Sequence, residues 1–207
     1  MASMYKDYGY QTEVQVDAHG YLLPAIRQIL GKPSGPILDL GCGNGAIARA
    51  LLSEGWDVYG ADASESGIRL AEQVAPGRFH VLDITAGALP AELADKQFQT
   101  IISTEVIEHL YNPRGFFDFA RRILVQAGGG RLVVSTPYHG YLKNLAIALV
   151  GKTDKHYTVL WDGGHIKFFS RKTLGQMLRE QGFVVTGFAG AGRIRYLWKS
   201  MLVIAAI

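Results

Sequence analysis

The chain has a single cysteine, Cys42, in 207 residues. That excludes an internal disulfide framework and fits a reducing compartment. Long hydrophobic runs are also missing. The longest, 145–150 and 201–207, fall far short of the ~20 residues a membrane helix needs. Residues 1–10 are polar and aromatic with no apolar centre, unlike a secretory signal. Charge is nearly balanced, with 21 Lys and Arg against 18 Asp and Glu and a net +3. A solvated surface accounts for that excess, and no DNA partner is expected. Proline is sparse, at seven, and no Gly-X-Y period exists, so collagen-like and low-complexity readings fail. The expectation is a soluble cytoplasmic protein, with peripheral membrane contact left open.

What is abundant is apolar side chain and glycine. At 48% hydrophobic and 19% charged, the chain can bury the core of one domain, 1–207. Its 25 glycines amount to about 12%, against roughly 7% in average usage. Such an excess means tight turns, or backbone brought close to a ligand. The pattern predicts a helix over 11–30, broken or restarted at Pro24. Strands follow at 36–40, 57–61, 79–82, 98–103 and 131–135, with helices at 46–54, from Ser64 toward Val74, and from Asn112-Pro113 to Gln126. A helix at 173–181 and two closing strands, 183–188 and 199–207, end the chain. This alternation implies an α/β fold, a mostly parallel sheet with helices on both faces. Ligands in such sheets bind at the carboxyl ends of the strands.

The first strand-to-helix junction reads Asp39-Leu40-Gly41-Cys42-Gly43-Asn44-Gly45. Glycine there lets a ligand approach the backbone. Asp62, 21 residues past Gly41 and ending the second strand, is placed to accept hydrogen bonds from ribose hydroxyls. A glycine loop with a ribose carboxylate fits a dinucleotide or S-adenosylmethionine. Asp39 separates the two, because its charge repels a pyrophosphate and attracts a methionine amino group. Cys42 reads as a small filler within the loop rather than a nucleophile.

The 39–45 run, with Asp62 and Asp83 after the next two strands, resembles the class I S-adenosylmethionine-dependent methyltransferases over about 36–207. The resemblance implies a Rossmann-like seven-stranded sheet with a terminal antiparallel strand. It implies S-adenosyl-L-methionine as cofactor, lying along Asp39, Gly41, Cys42, Gly43, Asn44 and Gly45. Asp62 with Ala63 would take the ribose and Asp83 with Ile84 the adenine, and Thr104 is a further cofactor-binding candidate. It also makes 1–32 an N-terminal helical cap on a single methyltransferase domain. Tyr5, Tyr8 and Tyr10 would belong to a flap over the cofactor, although surface aromatics explain them equally well.

After the fourth strand comes Ser103-Thr104-Glu105-Val106-Ile107-Glu108-His109-Leu110. On a helix, Glu105, Glu108 and His109 share one face at i, i+3 and i+4. Two carboxylates and an imidazole there suit a divalent cation, or a general base at His109, or an ordinary acidic helix start. The run resembles that of ubiquinone-pathway O-methyltransferases and of Hen-type RNA 2′-O-methyltransferases. The Hen-type resemblance implies a metal, Mg or Zn, on Glu105, Glu108, His109 and a downstream histidine, for which His165 stands 60 residues after Glu105. The Gly163-Gly164 before His165 and Phe168-Phe169 after it depart from the Hen-type pattern and argue against RNA. His109 and His165 are the expected catalytic pair.

Residues 137–169 are long for a junction, which marks a lid or binding segment. Tyr138, His139, Tyr141, His156, Tyr157, Trp161, Phe168 and Phe169 make it aromatic. Lys143, Lys152, Lys155, Lys167, Arg171 and Lys172 outnumber Asp154 and Asp162. The lysines taken singly are expected to face water, and His139 and His156 to pack or face solvent. The whole reads as O-methylation of a small aromatic or prenylated hydroxyl, with metal assistance as an option. An RNA 2′-O-methyltransferase and a non-catalytic S-adenosylmethionine-binding subunit are the alternatives.

Overall fold

A computed structural model describes residues 17–84, 87–157, 160 and 164–207. Tyr5, Tyr8, Tyr10, Trp161, Asp162, Gly163 and residues 11–16 of the expected first helix lie outside the described residues. Seven strands, β1 Ile37–Leu40, β2 Val58–Asp62, β3 Phe79–Val81, β4 Thr100–Ser103, β5 Arg131–Pro137, β6 Val184–Ala191 and β7 Ser200–Ala206, form one sheet. Their order is β3-β2-β1-β4-β5-β7-β6. β7 runs antiparallel to both β5 and β6, and the other pairings are parallel. β1 and β4 are buried along their whole length, as central parallel strands covered on both faces should be.

Helices α1 Asp17–Leu30, α2 Ala46–Ser53 and α3 Glu65–Val74 lie on one face. α5 Pro113–Gln126 and α8 Arg171–Glu180 cover the other, where Phe116, Phe117, Leu174 and Leu178 pack against Leu38 and Ile101. A short α4, Ala91–Ala94, precedes β4. α6 Tyr141–Leu149 and α7 Thr153–Tyr157 occupy the long junction after β5. Local chemistry sets the starts. Ser64 Oγ accepts from Gly67 N at 3.1 Å, and Asn112 Oδ1 from Gly115 N at 3.0 Å with Pro113 opening α5. Ser170 and Thr173 close a reciprocal capping box on α8.

One expectation fails here. Pro24 neither breaks nor restarts the first helix, which runs through it from Asp17 to Leu30. The residue whose carbonyl the proline ring would crowd is Gly20, and the space about it is open. Burial of Leu22, Leu23, Ile26 and Leu30 holds the helix down. Among the described residues no helix is long and apolar enough to cross a membrane.

β1 is followed by β2 on one side, and β4 lies on its other side. This is the topological switch point of the sheet, where open α/β folds bind ligands. The glycine loop, the 103–110 segment and the 137–169 junction all leave strands at this end.

Candidate active site

Asp39 is the charged residue of the β1 run Ile37-Leu38-Asp39-Leu40. It is 1% exposed, and neither carboxylate oxygen has a hydrogen-bond partner. Burial, and then the charge of Asp62, push its carboxyl up to about 8. An unpaired carboxyl in a dry strand is costly, and a cation delivered to it would relieve that cost. Asp62 is held differently. Its oxygens accept from Gly43 N at 2.8 Å and Ser64 N at 2.7 Å, which ties the glycine loop to the end of β2. Asn44 is buried and its Oδ1 accepts from Ala46 N at 3.3 Å. Cys42 is buried beside Gly60, and burial raises its thiol well above the usual range, so no thiolate is available there. Ala63, Asp83, Ile84 and Thr104 are half-buried along the same end of the sheet.

Gly41 and Gly45 meet a demand besides the expected approach to a ligand. A Cβ on Gly41 would stand 2.5 Å from Val106 Cγ2, and one on Gly45 would stand 2.7 Å from Phe79 Cε1. Both also have left-handed φ, 84° and 72°, where a side chain is strained. Packing and backbone conformation already require glycine at both positions.

The 103–110 segment is not the expected helix. Glu105 has φ 54°, and only Ile107–His109 forms a single 3-10 turn. Contacts from distant strands prevail over local periodicity. Glu105 N donates to Ser135 Oγ at 3.1 Å, Ser135 Oγ to Glu105 Oε1 at 2.7 Å, and Ser200 Oγ to Glu105 Oε2 at 2.9 Å. Glu105 is therefore turned onto β5 and β7, and burial pushes its carboxyl up to about 7.

Glu108, His109 and His165 do come together, with one ligand atom from each within 4.8 Å of the others. The main chain brings them there. Ile166 N and Lys167 N both donate to Glu108 O, at 2.9 and 3.0 Å, which seats His165 against His109 with ring centroids 4.9 Å apart. Glu108 is fully buried, and neither of its side-chain oxygens has a hydrogen-bond partner. Burial and the neighbouring Glu105 raise it well above the usual carboxylate range. Burial lowers His165 to about 4, so its imidazole is neutral at physiological pH. An orphaned carboxylate between two imidazoles fits a cation. The donor set of one oxygen and two nitrogens suits Zn²⁺ and its neighbours better than Mg²⁺, which prefers oxygen throughout. Glu105 is not part of this group.

The junction closes over the same end. His139 stacks on Tyr157 and meets Phe168 edge-on, and His156 packs against both His139 and Tyr157. Lys143 departs from the expectation that the lysines face water. It is buried, and its Nζ donates to Lys199 O at 3.1 Å. Sequence reasoning missed it because a lysine among apolar residues reads as part of a solvated face.

Residues 12–187 match a family model described as "Methyltransferase domain". The chain is similar to the ubiquinone biosynthesis O-methyltransferase of Roseobacter denitrificans, 33% identical over 153 residues, 70% of this chain and 58% of that protein. It is also similar to the protein of that name from Maricaulis maris, 34% identical over 118 residues, 56% of this chain and 45% of that one. The chain thus spans about half the length of these relatives. Among solved structures it resembles magnesium protoporphyrin IX methyltransferase from Synechocystis PCC 6803 with bound SAH. There the TM-score is 0.66 at 20% identity, covering 93% of this chain and 89% of that one. The methyltransferase domain of bacterial CtHen1-CN gives a TM-score of 0.64 at 19% identity, covering 92% and 100%. At these identities the likeness to the solved structures is one of fold.

Proposed function

The chain belongs to the methyltransferase-domain family, and we propose that it moves the methyl group of S-adenosylmethionine to a hydroxyl of a small aromatic or prenylated acceptor. The observation that carries this reading is the pairing of two built sites at one switch point. On the β1–β2 side stand the unpaired Asp39 and the anchored Asp62, and on the β4 side the Glu108, His109 and His165 group. Similarity to proteins named ubiquinone biosynthesis O-methyltransferase favours oxygen as the accepting atom.

In this reading S-adenosylmethionine supplies the electrophilic methyl. Asp39 takes the methionine amino group, Asp62 with Ala63 the ribose hydroxyls, and Asp83 with Ile84 the adenine. Gly43, Asn44 and Thr104 shape the space between them. In the metal-free site His109 accepts the hydroxyl proton. The new C–O bond forms as the old S–C bond breaks, leaving a methyl ether, S-adenosylhomocysteine and a proton. Most of the rate comes from holding oxygen and methyl in line. Glu108, His109 and His165 would hold a divalent cation, whose chemistry is to lower the pKa of the acceptor hydroxyl. α6 supports an apolar acceptor or a lipid surface, because Tyr141, Leu142, Leu145 and Leu149 are exposed on it.

A second reading, RNA 2′-O-methylation, is favoured by the Glu108, His109 and His165 cluster and by the likeness to the Hen1 domain. One experiment separates the two. The protein is incubated with methyl-labelled S-adenosylmethionine and a fractionated cell extract. Label in the lipid or small-molecule fraction is expected. Label in RNA alone would replace the first reading with the second, and absence of S-adenosylmethionine binding by calorimetry would remove both.

A further inference from the structure

α6 is built inside out. Leu142, Leu145 and Leu149 are exposed, and the buried residue of the helix is Lys143, 8% exposed. Turning a lysine inward past available leucines has a cost that solvation of the leucines does not recover. The ammonium has three hydrogens to donate, and one acceptor, Lys199 O, is in place. Among the described residues it has no carboxylate within ion-pair distance. Glu105 acts on it through space, but the oxygens of Glu105 already accept from Ser135 and Ser200. Burial lowers Lys143 only to about 8, so it remains an ammonium at neutral pH. Its bond to Lys199 O sets it beside Ser200, whose hydroxyl donates to Glu105 in the same turn after β4 that carries Glu108.

Asp39 and Lys143 are thus two buried ionisable groups that, among the described residues, lie in no ion pair. The first matches the amino group of the methyl donor. We propose that Lys143 is a specificity-determining residue that binds a carboxylate on the methyl acceptor. The substrate class is then a hydroxylated aromatic acid, with its acid group on Lys143 and its hydroxyl toward His109. A monoanion fits better than a phosphate. With one donor taken by Lys199 O, one ammonium and its two other N–H groups balance one carboxylate. The inference rests on the O-methyltransferase reading of the same site and deepens it.

The test uses 3,4-dihydroxybenzoate and catechol, which differ only in the carboxylate. Each is titrated calorimetrically into the S-adenosylhomocysteine-loaded protein, as wild type, Lys143→Met and Lys143→Arg. Wild type is expected to bind the acid at least about 10-fold more tightly than catechol. Lys143→Met should weaken the acid by about 10- to 100-fold and catechol by less than about 3-fold, in line with loss of one charge-assisted contact. Lys143→Arg should keep part of the preference. Retained S-adenosylhomocysteine affinity reports an intact fold, and the wild-type comparison stands even if a variant fails to fold. Equal affinity for both compounds, equal losses in Lys143→Met, or no binding of the acid would overturn the assignment. Methyl transfer to both compounds is followed in parallel. Preferential binding of the acid without methylation sinks the O-methyltransferase reading and keeps the carboxylate site. Methylation of catechol without preference for the acid does the reverse.

Discussion

A carboxyl group raised to about 8 by burial makes Asp39 a proton store in the ligand-free protein. Its ordinary value is 3.8. Between about pH 4 and pH 8 the folded chain therefore holds a proton that the unfolded chain has released. Stability of the ligand-free protein falls as pH rises through that window. Denaturant melts across the window should show the fall, and Asp39→Asn should flatten it. In the proposed reading donor binding reverses the protonation, because the methionine amino group would need the ionised carboxylate of Asp39. Calorimetry at pH 7 in buffers of different ionisation enthalpy should show a proton leaving as S-adenosylmethionine binds. Asp39→Asn should release none and bind about 10- to 100-fold more weakly, as for a lost charged hydrogen bond. Unchanged proton release in the variant would place the cofactor amino group elsewhere. Asp39 was legible in the sequence because an acid interrupts an apolar strand beside a glycine loop. Lys143 was not. Its inward turn goes with a bond to the carbonyl of Lys199, 56 residues away, and no local pattern encodes that.

At the scale of elements, the glycine loop and the turn after β4 are one packed unit. A methyl group on Gly41 would meet Val106 at 2.5 Å and would have to adopt φ 84°. Gly41→Ala should cost about 2–4 kcal/mol in urea denaturation, the sum of a core clash and a left-handed backbone. The double variant Gly41→Ala, Val106→Ala relieves the clash and leaves the backbone strain, so it should lose less than the two single changes added together. Strict additivity would mean that the two elements do not press on each other. Other contacts of the same turn explain why helical spacing misled at 103–110. Glu105 is bound to Ser135 and Ser200, 30 and 95 residues away, and those bonds fix a left-handed residue where a helix would start. Glu108 and His109 still reach the site because they are neighbours on the 3-10 turn. By contrast, the capped helices α3 and α5 were readable to within a few residues, since Ser64 and Asn112 carry their own start signals.

At the scale of the molecule, the sheet order puts donor and acceptor sites on neighbouring strands while drawing their residues from distant parts of the chain. In the proposed reading the donor side draws on residues from Asp39 to Ile84, with Thr104 from the turn after β4. The acceptor side needs the turn after β4, the helix after β5 and His165 beyond it, and His165 is placed by backbone hydrogen bonds to Glu108 rather than by its flanking sequence. A cation on Glu108, His109 and His165 would therefore cross-link two segments that otherwise meet through main-chain bonds. Zn²⁺ should slow hydrogen exchange at Ile166 and Lys167, whose amides donate to Glu108 O, and should leave exchange in α2 and α3 unchanged. Glu108→Gln should abolish that protection, because a neutral amide is a poor ligand for the ion. His165→Ala should abolish it as well, from the other side of the link. Binding takes a proton from a carboxyl that burial holds well above its usual range, so the protection should strengthen as pH rises from 6 to 8. Equal protection in wild type and both variants would mean that the ion sits elsewhere, and that His109 serves the acceptor hydroxyl without a metal.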